Sequence, residues 1–239
     1  MPDKRKHRGQ HPEDSALFSS AQIPKLSMAI YDLAWLLGKG YSEKASVKLV
    51  GDRYRLKQRQ RMAMQRMVCT EIQRLTRQDK ALKTHELKDR KILIDGLNLL
   101  ITIESALSHA LIFEGLDGCY RDLASVHGTY KKVEETSLAM QMIGETLHDL
   151  GTGPVTWLLD KPVSNSGRIK IMLCEIAKAN NWSWEAELVN NPDSILMRSI
   201  VPIVSSDSLI LDHTESWFNL SKYIIDTYLP DTVILQFST

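Results

Sequence analysis

The chain has 239 residues, 43% hydrophobic and 25% charged with a formal net charge of +1, which excludes a disordered or fibrous chain and is enough for one large or two modest cores. No apolar run reaches the roughly 18 residues of a membrane-spanning helix, and the basic opening Met1-Pro-Asp-Lys-Arg-Lys-His-Arg8 has no apolar stretch behind it, so the expected setting is the cytoplasm, without membrane contact. Cys69, Cys119 and Cys174 are too scattered for a disulfide framework or a zinc knuckle and read as reduced thiols.

Charge is distributed unevenly. Residues 1–90 carry 20 Lys+Arg against 10 Asp+Glu, and residues 91–239 carry the remaining 10 against 19. A segment of +10 beside one of −9 suits a nucleic-acid enzyme whose basic part holds the phosphates that its acidic part repels.

In chain order, residues 1–14 are polar and expected to be mobile, with His11-Pro-Glu-Asp14 as a helix entrance. Pro24 opens a helix with apolar positions at Leu26, Ile30, Leu33 and Leu37, stopped by Gly38-Lys-Gly40. Ser42 caps a short second helix to about Val50. Arg53 to Gln78 has no Gly or Pro and reads as one long helix with the stripe Met64, Val68, Ile72, Leu75. Its first half is basic, and Arg55 and Arg59 are candidates for contact with a polyanion. Asp79 to Arg90 reads as a connector.

Past residue 90 the periodicity changes. Residues 91–101 read as a strand followed by a helix over 102–110, then a short apolar piece at 111–113 and a polar loop containing Asp117, Asp122 and His127. A helix is expected over 131–150, a strand over 155–160, a helix over 168–180, a strand over 184–189, a short helix after Pro192 and a strand over 200–205. Helical segments from Asp207 and Asn219 and a last strand at 232–237 complete the pattern. Strands alternating with helices predict a mainly parallel sheet covered on both sides. The domains expected are therefore a basic all-α domain at 1–90 and an α/β domain at 91–239.

Three apolar strands of that domain end in acids: Lys91-Ile-Leu-Ile-Asp95-Gly-Leu-Asn98, Val155-Thr-Trp-Leu-Leu-Asp160 and Ile200-Val-Pro-Ile-Val-Ser-Ser206-Asp207. In open α/β sheets chemistry gathers beyond the carboxyl ends of the strands. No glycine-rich phosphate loop and no G-x-S-x-G elbow is present, and the position two after Asp95, which an Asp-x-Asp phosphatase needs as an acid, is Leu97. What remains is a carboxylate cluster of the kind that holds Mg²⁺ or Mn²⁺, provided the three strands are neighbours. Ser164-Asn165-Ser-Gly-Arg168, with Lys170, precedes a helix and is either a phosphate grip or plain capping. His127 is an acid–base candidate, although a lone histidine is more often structural.

Asp95-Gly-x-Asn98 after a strand, Asp160 after a middle strand, and Ser205-Ser206-Asp207 followed by Asp212 resemble the PIN and NYN-type nuclease domains. The whole architecture also resembles a prokaryotic two-domain family whose N-terminal part is a domain of unknown function of the 434 type. The nuclease resemblance implies a Rossmann-like (PIN-like) sheet, RNA as partner and Mg²⁺ or Mn²⁺ as cofactor. Asp95 and Asp207 would be direct or water-mediated ligands, with Asp160 and Asp212 completing the acidic ring. Asn98 would orient a ligand or substrate, and Ser206 would bond a carboxylate or phosphate. A further acid from the middle of the chain is required, for which Asp122, Glu134 and Glu135 compete, with Asp122 or Glu135 preferred. The expected function is metal-dependent hydrolysis of RNA; the alternatives are a non-catalytic RNA-binding scaffold of the same fold and a phosphohydrolase of small substrates.

Overall fold

The computed structural model describes residues 7–124 and 130–237. The expectation for His127 lies outside the described residues.

The first part is helical: α1 (Asp14–Leu17), α2 (Ile23–Gly38), α3 (Glu43–Arg53), α4 (Gln58–Met67) and α5 (Glu71–Lys80), followed by a 3-10 turn at Thr84–Leu87. The single helix expected over 53–78 is thus broken twice. Arg55 sits in a turn at φ 49°, and Thr70 starts a new helix by accepting from the Gln73 N–H while the Gln73 side chain accepts from the Thr70 N–H. This capping box is a start signal that lies inside an otherwise unbroken helical pattern. The expected stripe breaks with it, because Met64 and Val68 are buried whereas Ile72 and Leu75 face solvent.

The second part contains β1 (Ile92–Asp95), α6 (Gly96–Leu107), β2 (Ile112–Glu114), β3 (Tyr120–Arg121), α7 (Thr136–Asp149), β4 (Val155–Asp160), α8 (Ser166–Asn180), β5 (Trp184–Val189), α9 (Pro192–Met197), β6 (Ile203–Val204), α10 (Ser208–His213), α11 (Leu220–Tyr228) and β7 (Ile234–Leu235). The expected strand 91–101 ends at Asp95, and Leu97 to Ile101 belong to a buried helix. A short apolar run does not distinguish a buried strand from a buried helix.

The order β5-β4-β1-β6 is parallel throughout, with Ile94 opposite both Trp157 and Val204. Alternate residues feed cores on opposite faces. Ile92, Ile94, Val155, Trp157 and Leu159 join α6, α7, α8 and α11, whereas Leu93 and Leu158 pack with Leu196 of α9 and Ile210 and Leu211 of α10. The last strand does not extend this sheet. β7 instead pairs with β2, which pairs with β3, in a separate three-stranded sheet.

The helical part and this small sheet share a core, in which Phe18 meets Phe113 edge-on at 5.0 Å beside Leu123 and Phe237. Ion pairs reinforce the contact: Arg59–Asp14 ties α4 to the chain start, and Arg66–Asp122, Arg77–Asp117 and Arg77–Asp212 link helices to the α/β part. Residues 7–14, expected from the sequence to belong to a mobile start, make defined contacts. Arg8 pairs with Glu104, which is buried in α6 and also accepts from Tyr130 and Thr136, while Asp14 is buried against Arg59. No helix among the described residues is long and apolar enough to cross a membrane.

Candidate active site at the strand ends

Because β4 and β6 flank β1, the sheet brings the three acid-ended segments side by side. Asp95 is opposite Leu158, so Asp160, two residues farther along, has the same parity and emerges on the same face. That is the face covered by α9 and α10. Asp207 caps the start of α10, its Oδ1 accepting from Leu209 N–H at 2.8 Å and Ile210 N–H at 3.3 Å. Asp193 stands in the first turn of α9. Asp95, Asp160 and Asp207 thus line one mouth, and Asp193 is near enough to act on Asp95 electrostatically.

Asp95 is the deepest of them, with 8% of its surface exposed. Ser205 Oγ–H donates to its Oδ2 at 2.8 Å, yet burial, reinforced by Asp193 and Asp207, pushes its carboxyl up to about 7. Burial also raises Asp160 and, with Asp207 and Asp160, Asp193. Gly96 allows this placement, since a Cβ there would lie 2.6 Å from Leu159 Cδ2 and 2.9 Å from the Leu158 carbonyl oxygen. Its role is close packing of α6 on β4, and its φ is not positive.

Asn98, one turn into α6, reaches across to the segment after β6. Its Oδ1 accepts from the Ser206 N–H at 2.9 Å and Oγ–H at 3.0 Å. A backbone N–H can only donate, so the amide orientation is determined and both Nδ2 hydrogens face away from Ser206. The segment is held from behind by Arg121, whose Nε donates to the Ser206 carbonyl at 2.8 Å while its other nitrogens grip Asp117 and reach Ser208 Oγ.

The resulting cleft has a volume of about 650 Å³. Asp95, Asp160, Asp207, Asn98 and Ser206 line it, and Asp122 lies in the same wall. Asp122 accepts from Thr102 Oγ1–H at 3.0 Å and the Ala124 N–H at 2.7 Å. Its rival does not reach the cleft: Glu135, at the start of α7, bonds His7 at 2.6 Å.

Other expected members belong elsewhere. Asp212 turns to the helical part, where Arg77 and Gln73 take its two oxygens at 2.7 and 2.8 Å. Asn165 donates to the Tyr130 carbonyl, and neither it nor Arg168 nor Lys170 lines the cleft. Arg55 is exposed in its turn outside the cleft, and Arg59 is committed to Asp14 and the Leu123 carbonyl. Conversely, Asp193, Arg121 and Arg66 were not singled out from the sequence. Asp193 follows Asn191-Pro192 in a signal that reads as ordinary helix capping, and only the packing of α9 beside β1 and β4 turns it toward Asp95.

A family model described as a domain of unknown function, DUF5616, matches residues 84–223, more than half of the chain. The chain belongs to this family. A second model, the protein of unknown function family DUF434, matches residues 25–80, so the DUF5616 part carries all four of these acids and the DUF434 part the helices that face them. The chain is also 29% identical over 195 residues to uncharacterized protein MJ0935 of Methanocaldococcus jannaschii, covering 82% of this chain and 90% of that protein. No solved structure matches.

Proposed function

We propose that this protein is a metal-dependent nuclease that hydrolyses RNA phosphodiesters at the acid-lined mouth, on a Rossmann-like fold of PIN type. The observation that carries the reading is Asp95, buried at the end of the central strand and raised to about 7 among Asp193 and Asp207. A carboxylate held where its charge is disfavoured is a group built for a cation or a proton, and strongly perturbed acids in a cleft mark functional sites.

Among the described residues no three His, Cys, Asp or Glu side chains form a set that could hold a metal ion. An ion at this mouth would therefore have to be carried mainly by water, as Mg²⁺ can be with one or two carboxylates. Asp95 and Asp207 would hold such an ion, with Asp160 and Asp193 bonding its waters. Bound there, the ion would supply an activated water and neutralise phosphate charge. The chain's own groups do the rest: Asn98 presents Nδ2–H donors to a phosphate oxygen, Ser205 orients Asp95, and Arg121 holds the Ser206–Asp207 segment against Asn98.

The same lack of a three-residue set favours a second reading, a non-catalytic RNA-binding protein with an incomplete ion site. Cleavage of single-stranded RNA in Mn²⁺ discriminates the two. Wild type is expected to cut and Asp95→Asn to lose about 100-fold or more of the rate. Equal rates in the two proteins would remove Asp95 from the chemistry, and no cleavage by wild type despite RNA binding would leave the scaffold reading.

A further inference from the structure

The cleft is lined from both parts of the chain. Asp95, Asp160 and Asp207 line it from the α/β part, and α4 of the DUF434 part contributes Met62, Gln65 and Arg66, with Glu43 and Asp122 as neighbouring acids. Leu97, Ile101 and Val163 add apolar lining.

The two lining arginines differ in what they have left to offer. Arg121 is 6% exposed, and its three nitrogens bond Ser206 O, both Asp117 oxygens and Ser208 Oγ. Arg66 has 36% of its side chain exposed. It donates from Nη1 to the Asp122 carbonyl and from Nη2 to the Ala124 carbonyl at 3.5 Å, while Asp122 Oδ1 lies at 3.6 Å. The carbonyls orient the guanidinium, and Asp122, which also accepts from Thr102 and Ala124, offsets part of its charge. Arg66 lines the cleft and keeps over a third of its side chain exposed, so it offers the cleft a guanidinium, a group whose planar donors suit phosphate oxygens.

We propose that Arg66 anchors a second, uncleaved phosphate of the substrate, so that the DUF434 part forms half of the substrate site and the cleft takes a nucleotide unit bearing phosphates on both sides of its sugar. The acids act on one phosphate, the sugar and base lie over Leu97, Ile101 and Val163, and Arg66 receives the neighbouring phosphate, Gln65 being bonded to Glu43. This rests on the nuclease reading for the reaction, but the anchoring itself requires only binding.

Two arms keep the claims separable. In the first, cleavage of a short single-stranded RNA in Mn²⁺ is compared for wild type, Arg66→Gln and Arg66→Lys. Arg66→Gln is expected to raise KM about tenfold with kcat within about twofold, and to lower the salt slope of binding by about one. Arg66→Lys, which keeps the charge but loses the fork, is expected to raise KM about threefold. In the second arm, adenosine 3′,5′-bisphosphate and adenosine are titrated calorimetrically in Ca²⁺. The bisphosphate is expected to bind wild type about tenfold more tightly than Arg66→Gln, with adenosine unaffected.

If wild type cuts no RNA but the second arm shows this difference, the nuclease reading fails and the anchor stands. Unchanged KM, salt slope and bisphosphate affinity in a folded Arg66→Gln overturn the anchor. Should Arg66→Gln fail to fold, as its melting curve would show, an unchanged KM in Arg66→Lys overturns it equally.

Discussion

Asp95 shows what a functional carboxylate does to the stability of its own fold. Its carboxyl lies near 7 when folded, against an ordinary value of 3.8. The folded state therefore binds the proton more tightly than the unfolded state, and the Asp95 contribution to stability is fully present below about pH 4 and disappears as pH rises through 7. Three pKa units correspond to about 4 kcal/mol. Asp95→Asn keeps the shape and can still accept the Ser205 hydrogen bond. It is expected to melt higher than wild type at pH 8 and at nearly the same temperature at pH 4. Thermal denaturation at the two pH values tests this, and an Asn variant less stable at pH 8 would contradict a charged, disfavoured Asp95. The motif Asp95-Gly-x-Asn98 was legible as a strand end, but its inner logic was not. Gly96 serves close packing on β4, and Asn98 is a clasp on Ser206, a residue more than 100 positions away.

At the scale of the element, α5 explains why the periodicity reading of 53–78 failed. The helix has an apolar pair, Ile72 and Leu75, that faces solvent, and its one buried side chain is Arg77. It docks through ions: Arg77 bonds Asp117, Asp212 and the Ser208 carbonyl, and Lys80 bonds the Asp212 carbonyl. Hydrophobic spacing cannot predict a helix whose buried anchor is charged. Asp117 is held down to about 2, with the Arg121 and Arg77 guanidiniums overcoming the effect of burial. Here the sign is opposite to Asp95: the pair stabilises above about pH 4 and loses its effect as pH falls toward 2. Arg77→Ala is expected to cost about 3–5 kcal/mol, since it removes one partner of a buried pair. Urea unfolding measures that cost, and amide hydrogen exchange should show α5 losing protection first. A change below about 1 kcal/mol would mean that packing alone holds the helix.

For the whole molecule, the charge split at residue 90 acquires a second meaning. Part of the excess positive charge faces inward, because Arg8, Arg66 and Arg77 each meet an acid of the α/β part. Complementary halves that fold onto each other produce the same composition as a polyanion clamp. The shared core points the same way: removing residues 1–80 would expose Phe113, Leu123 and Phe237 and leave Glu104 and Asp117 without their partners from that part. Such a truncated chain is expected to aggregate or lack a cooperative melting transition, as size-exclusion chromatography and circular dichroism would report. A monodisperse, cooperatively melting 81–239 fragment would show that the α/β part stands alone.

The sequence by itself determined the alternation of strands and helices, the acids at the ends of β1 and β4 and after β6, and the helical character of the first part. These are local properties, set by side-chain parity, capping and the lengths of apolar runs. Only the tertiary structure decided which acids meet. The order β4-β1-β6 gathers Asp95, Asp160 and Asp207, and the seating of α9 adds Asp193. Arg77 draws Asp212 away into a structural pair, and the helical wall turns Arg66 into the cleft. Each of these depends on partners far apart in the chain, and such pairings are selected by packing and by the cost of burying a charge alone, neither of which leaves a mark in any short window of residues.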